Sequence, residues 1–178
     1  MKKLVFIFLF TVCNISLQAQ YNQNNEIVLL EIEGIKGEYN SFLGKNLIPL
    51  TSYSFSAYTQ NLNQDSLSFY GASDYSNYNY ISITKAMDMV SPQLLSKCMN
   101  GEKIAKAVLK VWNINDTSNP IFIIEMKNCS LQNVSITGGG SYYTSSESMN
   151  INYEEIKWEY TKVVNGEKKT STAMWKKK

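Results

Sequence analysis

Apolar and polar residues alternate with a period of two along several stretches of this chain, a pattern typical of β-strands buried on one face. Between 26 and 34, Val28, Leu30 and Ile32 lie on one side, whereas the other side changes from apolar to acidic along its length. At 53–57, tyrosine, phenylalanine and alanine alternate with serine. Both patterns predict half-buried strands, and the first strand's second face should become increasingly exposed.

The same alternation predicts further strands downstream, the last two of them joined by a tight turn. Asn165-Gly166 is a strong hairpin signal, because the favoured two-residue turn needs positive φ angles that these residues adopt readily. The run Gly138–Gly140 is interpreted as a flexible connection, since no Lys-Ser or Lys-Thr follows it as in a phosphate-binding loop. The further strands are predicted at 105–111, 121–126, 147–152, 156–161 and 167–175.

A single short helix is predicted after position 90. Ser91-Pro92 is typical of a helix start, because the serine oxygen can accept from free amides and proline is tolerated at the first position. Apolar residues from Leu94 to Met99 then recur at helical spacing, and Gly101 offers a left-handed stop. About eight strands and one short α-helix predict a mainly β fold, a β-barrel or sandwich with the helix packed on it.

The segment 58–80 is polar, rich in Tyr, Asn and Ser, and poor in aliphatic residues. It predicts a long loop or a protruding hairpin. Tyrosine offers a large contact area at a low cost in side-chain entropy, which makes the segment a candidate contact surface. The alternative is a solvated polar loop. The candidate residues for an inter-subunit contact are Tyr58, Tyr70, Tyr75, Tyr78 and Tyr80.

The amino terminus has the parts of a cleavable signal peptide. Lys2 and Lys3 precede an apolar run at 4–12, and Ala19 is a small residue at the expected cleavage position. The run is too short to span a bilayer, so no stable membrane insertion is expected. We predict a signal peptide at 1–19, export to the periplasm or the exterior, and a single domain at 20–178. A misassigned start or an apolar first strand is the alternative.

Charge disfavours nucleic acid as a partner. The full chain carries +2, and loss of Lys2 and Lys3 with the signal peptide would leave the mature chain at zero. All 17 basic residues are lysines, so no guanidinium fork is present for bidentate recognition of phosphate or guanine. These lysines are also interspersed with acidic residues, rather than clustered in one basic stripe.

The residue types give no support to catalysis. Histidine is absent, which removes the commonest general base and metal ligand near neutral pH, and no Gly-x-Ser-x-Gly elbow occurs. We therefore predict no catalytic, cofactor-binding or metal-binding residues, and no cofactor. Cys98 and Cys129 remain after processing, and an oxidising compartment would permit a disulfide between them, although the sequence does not show that they meet.

Five blocks follow one another along the chain: 32–38 (IEGIKGE), 54–56 (SFS), 91–104 (SPQLLSKCMNGEKI), 131–139 (LQNVSITGG) and 147–161 (ESMNINYEEIKWEYT). Taken in this order, they resemble the Hcp (haemolysin-coregulated protein) family of type VI secretion systems. This resemblance implies a β-barrel with one helix that assembles into hexameric rings, which stack head-to-tail into a tube carrying effector proteins. It also implies that 58–80 corresponds to the family's extended loop, which contacts neighbouring subunits or rings.

Three departures from the family pattern leave two functions open. The family is assembled in the cytoplasm and then secreted without a signal peptide, its common Ser-Phe-Ser-Trp-Gly is SFSAY at 54–58 here, and its often glycine-rich loop is rich in Tyr, Asn and Ser. The first function is a ring-forming inner-tube component that contacts itself, secretion-machine components and effectors. The alternative is an exported Hcp-like binding module outside any tube.

Overall fold

The alternating segments form a curled antiparallel sheet in the computed structural model, which describes residues 26–56, 80–140 and 145–177. These ranges contain ten strands and one helix, so the mainly β prediction is confirmed. In chain order the elements are β1 (Glu26–Ile32), β2 (Tyr39–Ser41), β3 (Gly44–Pro49), β4 (Ser52–Phe55), β5 (Tyr80–Ala86), α1 (Ser91–Met99), β6 (Lys103–Asn113), β7 (Phe122–Thr137), β8 (Ser146–Asn152), β9 (Glu155–Val164) and β10 (Glu167–Lys176).

The sheet mixes strands that are distant in the sequence. Its order is β2-β3-β1-β6-β7-β8-β5-β4, with β9 paired to β7 and β10 paired only to β9. The main core lies on one face, where Leu30, Leu109, Ile124 and Ile151 are almost wholly buried. The helix α1 packs on this core through Leu94. Curling of the sheet lets apolar residues of most strands share one core.

The first strand follows its sequence pattern closely. Leu30 and Ile32 face the main core, while the acidic end of the other face is exposed at Glu31. At the apolar end of that other face, Leu29 packs with Leu47 and Trp112 in a second, smaller cluster. The predicted change from burial to exposure along the second face is therefore confirmed.

The strand β7 differs from its prediction. A strand was expected at 121–126 alone, whereas the structure has one strand of 16 residues that continues to Thr137. It pairs with β9 over its first part and with β8 over its second, and Asn128 with φ 52° lies where the partner changes. Asn133 with φ 53° accompanies a register shift in the β8 pairing. These left-handed residues bend the strand, and asparagine tolerates that conformation better than most residues.

Three strands were not predicted from the sequence. The strands β2 and β3 form a short irregular hairpin with a register shift, and β5 pairs with both β4 and β8. In β5 the inward positions are Ile81, Ile83 and the buried Lys85. A lysine at an inward position breaks the apolar pattern on which strand recognition depends.

The helix begins at Ser91 as predicted, but its start is stabilised differently. The Ser91 hydroxyl does not bond an amide of the helix; it accepts from the Asp88 backbone N–H at 3.0 Å and donates to Glu147 Oε2 at 2.7 Å. The Asp88 carboxylate accepts from the Val90 N–H at 3.1 Å. The predicted serine cap is therefore wrong, because the hydroxyl is used by a buried carboxylate instead.

Candidate assembly surfaces

The predicted tyrosine contacts lie mostly outside the described residues. This applies to Tyr58, Tyr70, Tyr75 and Tyr78, so their role stays a prediction. Tyr80 is the first residue of β5, is partly exposed, and pairs in register with Asn152 of β8.

Both candidate disulfide cysteines are free thiols in the structure. Cys129 is completely buried in the main core, and burial raises the pKa of its thiol to about 12. Cys98 is partly buried on α1 and packs against the same core. Pairing of the two in an oxidising compartment stays a prediction.

A mixed-charge groove lies on the face of β1, β6, β7 and β9 that points away from the main core. Its volume is about 520 Å³, and two aliphatic side chains, Val108 and Ile123, lie among its charged residues. Cross-strand register brings the lining residues together, as in the row Glu31, Val108, Glu125 and Lys157. The lining residues are Glu31, Glu33, Lys106, Val108, Lys110, Ile123, Glu125, Lys157 and Glu159.

Three ion pairs in the groove use all three of its lysines. Their N···O distances are 2.8 Å for Lys106–Glu125, 3.6 Å for Lys110–Glu31 and 3.4 Å for Lys157–Glu159. The hydrogen bond from Lys106 lowers the pKa of Glu125 most, and the nearby lysine charges lower it further.

One groove acid stays unmatched after these pairs. Glu33 is exposed and forms no ion pair with any described residue. The groove therefore has one acid more than it has lysines.

The hairpin formed by β9 and β10 is the second candidate surface. Its turn has φ 53° at Asn165 and 81° at Gly166, which confirms the predicted hairpin turn. Every residue of β10 is exposed, and its outer edge has no partner strand among the described residues. Met174 and Trp175 are 77% and 38% exposed. An exposed strand with a free edge is a ready surface for association.

A buried polar cluster links α1, β5 and β8. Lys85 and Glu147 are completely buried, pair in register across β5 and β8, and lie 3.1 Å apart from Nζ to Oε2. Lys85 Nζ also lies 2.7 Å from Asp88 Oδ1 and donates to Ser91 Oγ at 3.0 Å. This cluster fixes the helix against the sheet, and the sequence patterns did not predict it.

Neither a metal centre nor a spanning helix is found in the part of the chain that the structure describes. No group of three or more Cys, Asp or Glu residues there is arranged to hold a metal ion. No described helix is long and apolar enough to cross a membrane.

The family follows from comparison with known proteins. The family model for "Type VI secretion system effector, Hcp" matches residues 29–160, which is most of the chain. This chain belongs to the Hcp family. The match includes every residue that lines the groove, from Glu31 to Glu159. A comparison with curated proteins gave no match.

Solved Hcp structures have the same fold. Hcp1 from Salmonella typhimurium is 22% identical, with a TM-score of 0.69 over 85% of this chain and 94% of that chain. Hcp2 from the same organism is 24% identical, with a TM-score of 0.61 over 84% and 94%. A type VI secretion system effector from Yersinia pestis is 16% identical, with a TM-score of 0.64 over 84% and 98%. At these identities the likeness concerns the fold.

Proposed function

We propose that this protein is a ring-forming structural component of a type VI secretion tube, assembling from copies of itself into hexamers that stack and carry effector proteins. The observation that carries this proposal is the family match over residues 29–160, supported by an Hcp-like fold over most of the chain. Function here rests on contacts between copies rather than on a catalytic pocket.

The surface of the described chain supports association between copies. The free edge of β10 can pair with another strand, and Tyr160 and Val163 of β9 are 51% and 54% exposed. Because the mature chain would carry zero net charge, little long-range repulsion would oppose such contacts. The proposed contact role of 58–80 adds tyrosine surface at low entropic cost.

Export before assembly is a separate proposal. The pattern at 1–19 supports a signal peptide cleaved after Ala19, which would make Gln20 the first mature residue. An exported chain could either assemble outside the cytoplasm or act alone as an Hcp-like binding module. The two routes differ in where rings are found.

Native mass measurement of the protein from separate cell fractions tests these proposals. A mass near six mature chains, with ring-shaped particles in electron micrographs, is expected for the tube component. Only monomer at high concentration, with and without reductant, would leave the binding module as the function. Amino-terminal sequencing of the same samples tests export, because protein that retains Met1 in the cytoplasm would contradict it.

The tyrosine segment can be tested in the same assay. Replacing Tyr70, Tyr75, Tyr78 and Tyr80 with serine should weaken assembly more than it lowers the melting temperature of the monomer. If the melting temperature of the monomer falls and assembly weakens only as far as unfolding explains, a contact role is contradicted. These side chains would then stabilise the fold instead.

A further inference from the structure

Two lysines at the tip of the β9–β10 hairpin lie directly opposite each other. Lys162 and Lys169 are register partners, both are exposed, and neither pairs with an acid in the described ranges. Like charges directly opposite across two strands are destabilising. The tip therefore presents two ammonium groups that lack a counterion within the described part of this chain.

The tip lies beyond the register pairing of β9 with β7, where Lys168 Nζ donates to Asn119 Oδ1 at 3.0 Å. The last register pair between β7 and β9 is Phe122 with Tyr160, so Lys162 lies past the end of that pairing. By strand alternation Lys162 shares a face with Tyr160, which is 51% exposed. The two lysines thus share a face with an exposed aromatic side chain, and aromatic residues are enriched at protein contacts.

The mixed-charge groove lies on the opposite face of the same strand. Lys157 and Glu159 of β9 line the groove, whereas Tyr160 and Lys162 point the other way. The groove has one unmatched carboxylate, at Glu33. Two surfaces of opposite excess charge therefore face in opposite directions on one chain.

We propose that the lysine-tipped hairpin of one copy docks at the groove of the next copy. The contact places Lys162 and Lys169 beside the unmatched acid of the groove, and it rests on the proposed function as a self-assembling ring. Because the two surfaces differ and face apart, the contact is head-to-tail, which closes rings or extends filaments. Because each copy carries both complementary surfaces, the occupant proposed for the groove is a second copy of this chain.

A charge-swap experiment tests this contact. The tip variant K162E/K169E keeps a like-charge pair in the hairpin but reverses its sign, and the groove variant E33K reverses the excess charge of the groove. Each variant alone presents like charges across the contact, so its association midpoint should rise about tenfold at low salt. An equimolar mixture should assemble like the parent, because each tip then meets a groove of opposite charge.

Matched controls separate local contact from total charge. K36E/K45E makes the same charge change as the tip variant, and E38K makes the same change as the groove variant, all at exposed positions outside both surfaces. Neither control should alter assembly. At about 1 M salt, where screening acts over about 3 Å, the variants and the parent should converge.

The outcomes distinguish this contact from the ring proposal. If the parent forms rings and both charge variants assemble equally well, the docking contact is wrong and the ring proposal survives. If the mixture fails to recover assembly while both variants remain folded by circular dichroism, the docking contact is also wrong. If the parent itself never associates, the ring proposal fails, and the docking contact fails with it.

Discussion

The charged side chain of Lys85 has no exposed area, so its burial must be compensated by other groups of the fold. An ion removed from water costs several kcal/mol unless it is well paired. Here Glu147 and Asp88 supply opposite charge, while Ser91 and the Ala86 carbonyl accept further hydrogen bonds. Only Glu147 Oε1 is left without a partner in this cluster. The helix and two strands are therefore held by a nearly satisfied polar network.

Removing one charged side chain of this network should destabilise the fold more than removing both charged side chains. Lys85→Met leaves the buried Glu147 unpaired and should lower the free energy of unfolding by about 3 to 5 kcal/mol. The double variant Lys85→Met/Glu147→Leu removes both charges and should recover a substantial part of that loss. Urea unfolding of the parent, both single variants and the double variant measures the coupling. Strictly additive losses would contradict the network.

Gly37 shows a different residue-scale constraint, one of space. A Cβ at this position would overlap the Leu47 carbonyl group and lie 2.9 Å from the Ile48 nitrogen. The Gly37 N–H also donates to the Asn46 carbonyl at 2.9 Å. Only the absence of a side chain lets this backbone approach β3 so closely.

Gly37→Ala should therefore destabilise the fold by about 1 to 3 kcal/mol, because the overlap is with backbone that cannot simply rotate away. The matched control is Gly140→Ala, since a Cβ there meets nothing within 4 Å. Thermal unfolding of both variants measures the difference. Equal melting temperatures would show that the chain around Gly37 relaxes freely.

At the scale of elements, prediction from sequence succeeded where one local rule decided the structure. The alternation in β1 and the Asn165-Gly166 turn each depend on adjacent residues, and both were predicted correctly. Prediction failed where tertiary context decided. The inward Lys85 of β5 is tolerated because Glu147 of β8 lies opposite it and pairs with its charge. No local sequence pattern around Lys85 predicts that partner.

The bend in β7 gives a prediction for an element. Asn128 adopts φ 52° where the strand changes partner, a conformation that a β-branched residue disfavours by about 1 to 2 kcal/mol. Asn128→Val should thus lower stability by about that amount, whereas Asn128→Gly should leave it nearly unchanged. Chemical denaturation of both variants distinguishes them. Similar losses in both would instead implicate the side-chain bond from Asn128 to Glu154, which is 3.1 Å long.

At the scale of the whole molecule, the candidate surfaces were the least predictable feature. The groove joins residues from Glu31 to Glu159 through the register of four strands, and that register follows from the complete topology. Each of its charges looks like an ordinary solvated position in the sequence. The resemblance to Hcp gave the family and the fold correctly, but fold alone does not say which surface of this chain makes contacts.

The groove also gives the folded chain a predictable response to acid. Lys106 lowers the pKa of Glu125 in the folded state, so this carboxylate contributes stability above its unfolded pKa of about 4.3. That contribution is lost as the pH falls through the lower folded pKa. Glu125→Gln should therefore be less stable than the parent at pH 6, and the difference should shrink toward pH 3. Urea midpoints measured across this range, with Glu38→Gln as the control for loss of one exposed charge, test the effect. A difference that stays constant with pH would show that Glu125 contributes by packing rather than by its charge.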